Sequence, residues 1–227
     1  MVPTWLPLMF LGIAVSACAA VLEYQRHTVF AAFCSGVGSL LFFAVAIVNR
    51  METMDKRYAL IVMLGLIFCA LGSITIQFGG GLEKHISATD GVGLALFACG
   101  HIAYLITLIY RGFIAGVVAV PITILVIIVM TVSLSKRHKG PQNHRFFIMA
   151  YLLMPISIIS WSLTLIILNL PDPTYHLFTL GALGLMIFDS DLMSRLSAKN
   201  TLPITSAAAL IAYATGQLLI ALSILFA

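Results

Sequence analysis

At 227 residues, 61% hydrophobic and 9% charged, with a mean hydropathy of +1.10, the chain is too apolar for a soluble globular domain and reads as an integral membrane protein. Its formal net charge of +4 sits in the connections between apolar segments. There it serves orientation and contact with anionic headgroups, so the reading includes membrane lipids as partners and no nucleic acid.

A bilayer core about 30 Å thick takes about 20 apolar residues per helix. The first such stretch, 4–22, has no cationic region ahead of it and no small-residue cleavage site after it, so it is expected to be a retained helix rather than a signal peptide. Further stretches follow at 28–48, 57–77, 88–109, 111–134, 145–169, 174–193 and 203–226. All are continuously apolar and lack the period-two alternation of barrel strands, which predicts helices. The expected fold is all-α: a polytopic bundle of about eight transmembrane helices in a single domain over 1–227, placed in the bacterial inner (cytoplasmic) membrane. Cys18, Cys34, Cys69 and Cys99 lie inside apolar segments without a CxxC pair and read as small packing residues. The longest connections are 78–87 and the basic stretch SKRHKGPQNHR at 135–145. The halves 1–110 and 111–227 show no self-similarity, which weakens a transporter built on repeats.

With this helix count, both termini share a side with the loops near 49–56, 110–111 and 170–173, which carry Arg50, Lys56, Arg57 and Arg111. The opposite side carries Arg26, Lys84, Lys136, Arg137, Lys139, Arg145, Arg195 and Lys199. The positive-inside rule puts that second side in the cytoplasm.

Most acids fall where they are cheap: Glu23, Glu52, Asp55, Glu83 and Asp172 in loops or at helix ends, and Asp90 in the first turn of the fourth helix. Asp189, in GLMIFDSDLMSRLS, is different, because it precedes the nearest loop by more than a turn and its helical neighbours Leu185, Met186, Leu192 and Met193 offer no charge. A carboxylate there costs a few kcal/mol unless it is neutral, paired across helices or wetted. Asp191 has a local partner in Arg195, four residues on. Two residues turn a helix by about 200°, so the two acids face different ways. A second polar stripe, GLALFACGHIAY, puts Gly93, Phe97, His101 and Tyr104 on one helix face. Such a stripe reads either as close packing with a histidine bonded to a neighbouring helix or as one wall of a site. Tyr213 and Gln217 in YATGQLLIALS, one turn apart, read either as an interhelical hydrogen bond or as part of a pocket.

The motifs GxxxFxxxHxxY (Gly93, Phe97, His101, Tyr104), GALGLMIFDSDLM (Gly181, Ala182, Asp189) and the closing YATGQLLIALS, in this order and spacing, resemble the YhhN-like, or lysoplasmalogenase, family of eight-helix membrane proteins. The resemblance implies a hydrolase that cleaves the vinyl ether of a lysoplasmalogen, a single-chain phospholipid, to a fatty aldehyde and a glycerophospho-base. That reaction protonates the β-carbon of an enol ether and sends water to the resulting oxocarbenium ion, so it asks for a proton donor and a group that handles water. A carboxyl kept neutral by an apolar setting is such a donor. The resemblance makes Asp189 the donor and His101 its orienting group or water base, with Tyr104, Tyr213, Gln217, Ser73 and Phe97 around the substrate. The chain departs from the family pattern where LGSITIQF has Ser73 after Gly72 instead of an acid, and where the usual Lys-Pro is absent from FCSGVGSLLFF. No metal-ligand or phosphate-loop motif is present, and no cofactor is expected. A noncatalytic lipid-binding or lipid-moving protein on the same scaffold stays open beside the hydrolase, as does small-solute transport.

Overall fold

The computed structural model describes residues 3–79, 88–137, 142–169, 171–198 and 202–227. Their architecture is all-helical: α1 (Trp5–Tyr24), α2 (Thr28–Glu52), α3 (Lys56–Gly79), α4 (Ala88–Arg111), α5 (Gly116–Arg137), α6 (Gln142–Leu168), α7 (Pro173–Ala198) and α8 (Pro203–Ser223), with short 3₁₀ turns at Phe113–Ala115 and Ile224–Phe226. Seven of these helices are long and apolar enough to cross a membrane, and the 3₁₀ turn at Phe113–Ala115 with the start of α5 forms a shorter apolar stretch, Phe113–Val129. The protein is a multi-pass membrane protein, because lipid offers backbone groups no partners and only helices or closed barrels span it.

The helices correspond to the segments read from hydropathy, but their ends run longer. The second extends to Glu52 and the seventh from Pro173 to Ala198. The expected connection at 135–145 is partly helical, with α5 reaching Arg137 and α6 starting at Gln142, while 80–87 and 138–141 lie outside the described residues. Hydropathy measures contact with lipid, whereas the backbone ladder continues into the headgroup layer. The fifth segment also starts differently. α4 continues through Arg111, Gly112 takes a non-helical conformation (φ −166°, ψ 79°), and its carbonyl accepts a hydrogen bond from Trp161 Nε1 at 3.1 Å.

Small residues set the interhelical distances. A Cβ on Gly216 would stand 2.6 Å from the Gly181 carbonyl oxygen, so α7 and α8 touch backbone to backbone. A Cβ on Gly72 would likewise meet the Gly93 carbonyl at 2.9 Å, which locks α3 to α4. Without a hydrophobic drive between helices in lipid, this close approach is a main source of packing energy. α4 packs on α3 and α6, α7 packs on α6 and α8, and α8 returns to α1 and α2, so the helices enclose an interior while α5 rides outside on α6. Outward faces present large apolar side chains such as Phe10, Phe30, Phe33, Val117 and Ile167 to lipid.

The loops near 49–56, 110–111 and 170–173 do meet at one end. Arg111 lies 3.2 Å from Asp55 and 3.4 Å from Asp172, and its guanidinium stacks over the rings of Tyr58 and Tyr175. Asp55 caps α3 by accepting from the Tyr58 backbone N–H, and Asp172 caps α7 by accepting from that of Thr174. Lys56 donates to the carbonyls of Arg50 and Met51 at the end of α2. At the other end Arg195 bridges Asp191 at 2.6 Å and Glu23 at 2.9 Å, tying α7 to α1. The Asp191–Arg195 pair expected from its spacing is therefore present, and Glu23, read as a cheaply placed acid, is its third member.

Candidate active site

Asp189 is 1% exposed and its partners come from two other helices. On α4, His101, itself 2% exposed, brings Nε2 to 3.0 Å from Asp189 Oδ2. On α6, the Tyr151 hydroxyl donates to Asp189 Oδ1 at 3.0 Å. α4 and α7 each pack on α6, so the two contacts cross the interior between them.

Hydrogens can be counted from these contacts. His101 Nδ1 lies 2.8 Å from the Phe97 carbonyl oxygen, which only accepts, so Nδ1 carries a hydrogen. In the neutral imidazole Nε2 is then a bare lone pair. A lone pair and a carboxylate oxygen 3.0 Å apart repel unless a proton accompanies them, so the Asp189–His101 pair holds one. Neither of the two atoms has another partner among the described residues. Gln217 Oε1 is a further buried polar atom without a hydrogen-bond partner among the described residues, and the buried Tyr104 hydroxyl faces the Cys69 thiol. Buried polar groups are ordinarily paired, so these atoms call for a partner that water, a ligand or a shared proton supplies.

The residues that the resemblance puts at the site, Asp189, His101, Tyr104, Tyr213, Gln217, Ser73 and Phe97, are all buried in this interior. Phe97 packs against His101, Phe188 and Tyr213 with ring centroids 6.4, 5.7 and 6.1 Å apart. Tyr104 faces the edge of His101 at 6.5 Å. Tyr213 donates to the Cys69 carbonyl at 2.8 Å and accepts from Gln217 Nε2 at 2.7 Å. Ser73 is fully buried and accepts from Gln77 Nε2 at 2.7 Å, and the same amide nitrogen lies 3.2 Å from Ser35 Oγ. The Ser39 and Ser73 hydroxyls neighbour that of Tyr213. The site thus has two parts: an acid–imidazole–phenol group across α4, α6 and α7, and an uncharged hydroxyl and amide chain across α2, α3 and α8.

A family model described as the YhhN family matches residues 30–224. The chain belongs to the YhhN family. A search of curated proteins and one of solved structures each return no match. The matched region takes in all the site residues of this YhhN protein, from Ser35 on α2 to Gln217 on α8. Tyr151, Gln77, Ser35 and Phe188 escaped the sequence reading. A tyrosine is at home in an apolar segment, and only Gln77, polar and one turn after Ser73, carried a usable signal.

Proposed function

We propose that the protein is a lysoplasmalogenase-like hydrolase that cleaves the vinyl ether of a single-chain phospholipid. One observation carries this reading: a carboxyl buried in the membrane interior, one oxygen bound by a phenol and the other 3.0 Å from an imidazole whose far nitrogen is fixed on a carbonyl. A lone carboxylate at mid-bilayer costs about 2.5–3.5 kcal/mol by insertion scales, and a neutral acid escapes most of that. Such an acid is a proton donor.

The steps follow from the atoms. Asp189 gives its proton to the β-carbon of the enol ether, leaving an oxocarbenium ion beside a carboxylate that stabilises it. Water adds to the cationic carbon and loses a proton to the lone pair on His101 Nε2, which gives a hemiacetal. The imidazolium then protonates the departing glycerol oxygen, the carboxylate takes the hemiacetal hydroxyl proton, and the C–O bond breaks. The products are an aldehyde and a glycerophospho-base. One water is consumed, and Asp189 and His101 return to their starting protonation states. Phe97 and Phe188 supply the apolar wall that an alkenyl chain needs, while the hydroxyl and amide chain suits a glycerol.

The second reading, a noncatalytic lipid binder, has its own observation. Where the resemblance leads one to expect a second acid, Ser73 is engaged by Gln77. Mass spectrometry of purified protein incubated with lysoplasmenyl and matched lysoacyl lipids separates the two. The hydrolase yields aldehyde from the first and no fatty acid from the second. Ser73→Asp is expected to raise aldehyde release. Absence of aldehyde from both wild type and Ser73→Asp, with lipid still bound, would establish the binder instead.

A further inference from the structure

The two oxygens of Asp189 are not equivalent. Oδ1 receives the Tyr151 hydroxyl at 3.0 Å, whereas Oδ2 has only the His101 imidazole, 3.0 Å away. A phenol has a single O–H, and a carboxylic acid accepts best at the oxygen that does not carry its own proton. A hydrogen bond into Oδ1 therefore drives the acid proton to Oδ2, the oxygen beside His101. Tyr151 is well placed to give that bond. It is 8% exposed, it comes from a third helix, and its ring stands edge-on to that of His101 with centroids 6.2 Å apart.

We infer that Tyr151 is a positioning residue that fixes which oxygen of Asp189 carries the transferable proton, making Oδ1 the carbonyl-type oxygen and Oδ2 the donor. The Oδ2 proton then lies beside the base that must later accept from water. Asp189 thus gives and regains its proton on one side, facing His101. That Asp189 rather than His101 carries the shared proton at rest rests on the hydrolase reading; the choice between its two oxygens rests on the contacts.

Infrared difference spectroscopy of the full-length protein in H₂O and D₂O reads the proton directly. A protonated-carboxyl C=O band is expected in wild type and should vanish in Asp189→Asn, which assigns it. In Tyr151→Phe the band should move to higher frequency, because the C=O loses its donor. 3-Fluorotyrosine at position 151, a stronger donor of nearly the same shape, should move it lower and guards against a Phe variant that folds poorly. With lysoplasmenyl substrate, Tyr151→Phe is expected to lower kcat about 10-fold, the scale of one hydrogen bond to a charged group, and to leave KM within about twofold. A band unmoved in both Tyr151 variants, or no band lost in Asp189→Asn, would overturn the inference. Absence of aldehyde release from both wild type and Ser73→Asp would remove the hydrolase reading, and the infrared result would still decide the role of Tyr151.

Discussion

The Arg111 cluster at one end of the bundle and the Asp189 cluster in its interior are both built from charged or chargeable groups brought together by several helices, yet their bonding differs. Arg111 is saturated: two carboxylates, the Tyr175 hydroxyl at 3.3 Å and two aromatic faces surround it, and each carboxylate also caps a helix. Around Asp189, Oδ2 has only the imidazole 3.0 Å away, and Gln217 Oε1 has no hydrogen-bond partner among the described residues. A saturated cluster loses stability when disturbed, because any change orphans something. Under the hydrolase reading, an unsaturated one has given up that stability in exchange for the capacity to react.

The largest effect expected from this contrast is on turnover. Asp189→Asn should abolish aldehyde release, by at least the roughly 10²–10⁴-fold typical of a lost general acid, while thermal stability in detergent stays close to wild type. The amide fits the hydrogen count: its oxygen still accepts from Tyr151, and its NH₂ donates to the lone pair on His101 Nε2 that the acid proton formerly faced. Loss of stability comparable to loss of turnover would put Asp189 in the structural class and dissolve the comparison.

Next in size comes the opposite end. Arg111→Met keeps the apolar length of the side chain but leaves Asp55 and Asp172 without their cation. The three side chains are 20–27% exposed, so the cost lies between that of surface and buried pairs, about 2 kcal/mol. Thermal melting should fall while kcat per folded molecule stays unchanged. A melt unchanged from wild type, or a dead but well-folded variant, would contradict the structural assignment.

What was legible in the sequence follows the same division. The eight helices were readable because a membrane leaves the backbone no alternative. Asp189 and His101 were readable because ionisable groups are anomalous in an apolar segment, and the Asp191–Arg195 pair because its partners lie one turn apart. Partners supplied by other helices were not. Tyr151 is 38 residues from Asp189, Asp55 and Asp172 are 56 and 61 from Arg111, and Glu23 is 172 from Arg195. No local pattern records such distances. The sequence therefore announced that Asp189 required an explanation, and the packing of α4 and α7 on α6 supplied it.

The smallest expected effect is at the neighbouring acid, and it tests whether two carboxylates two residues apart belong to different classes. Asp191 points away from Asp189 by about 200° of helical turn and binds Arg195 Nε at 2.6 Å, in a triad whose other acid is Glu23. Asp191→Asn leaves Arg195 with Glu23, so no cation is stranded, and the cost should be only about 0.5–1 kcal/mol. Turnover should equal wild type. The triad predicts more than a simple helical pair would: Glu23→Gln and Asp191→Asn share one arginine, so their combined cost should exceed the sum of the single costs, because only the double variant leaves Arg195 uncompensated. Thermal melts of the two single variants and the double variant measure this coupling. Additive costs would mean that Glu23 does not hold α1 to α7 through Arg195, and a drop in kcat for Asp191→Asn alone would mean that the proton chemistry is not confined to Asp189 and its partners.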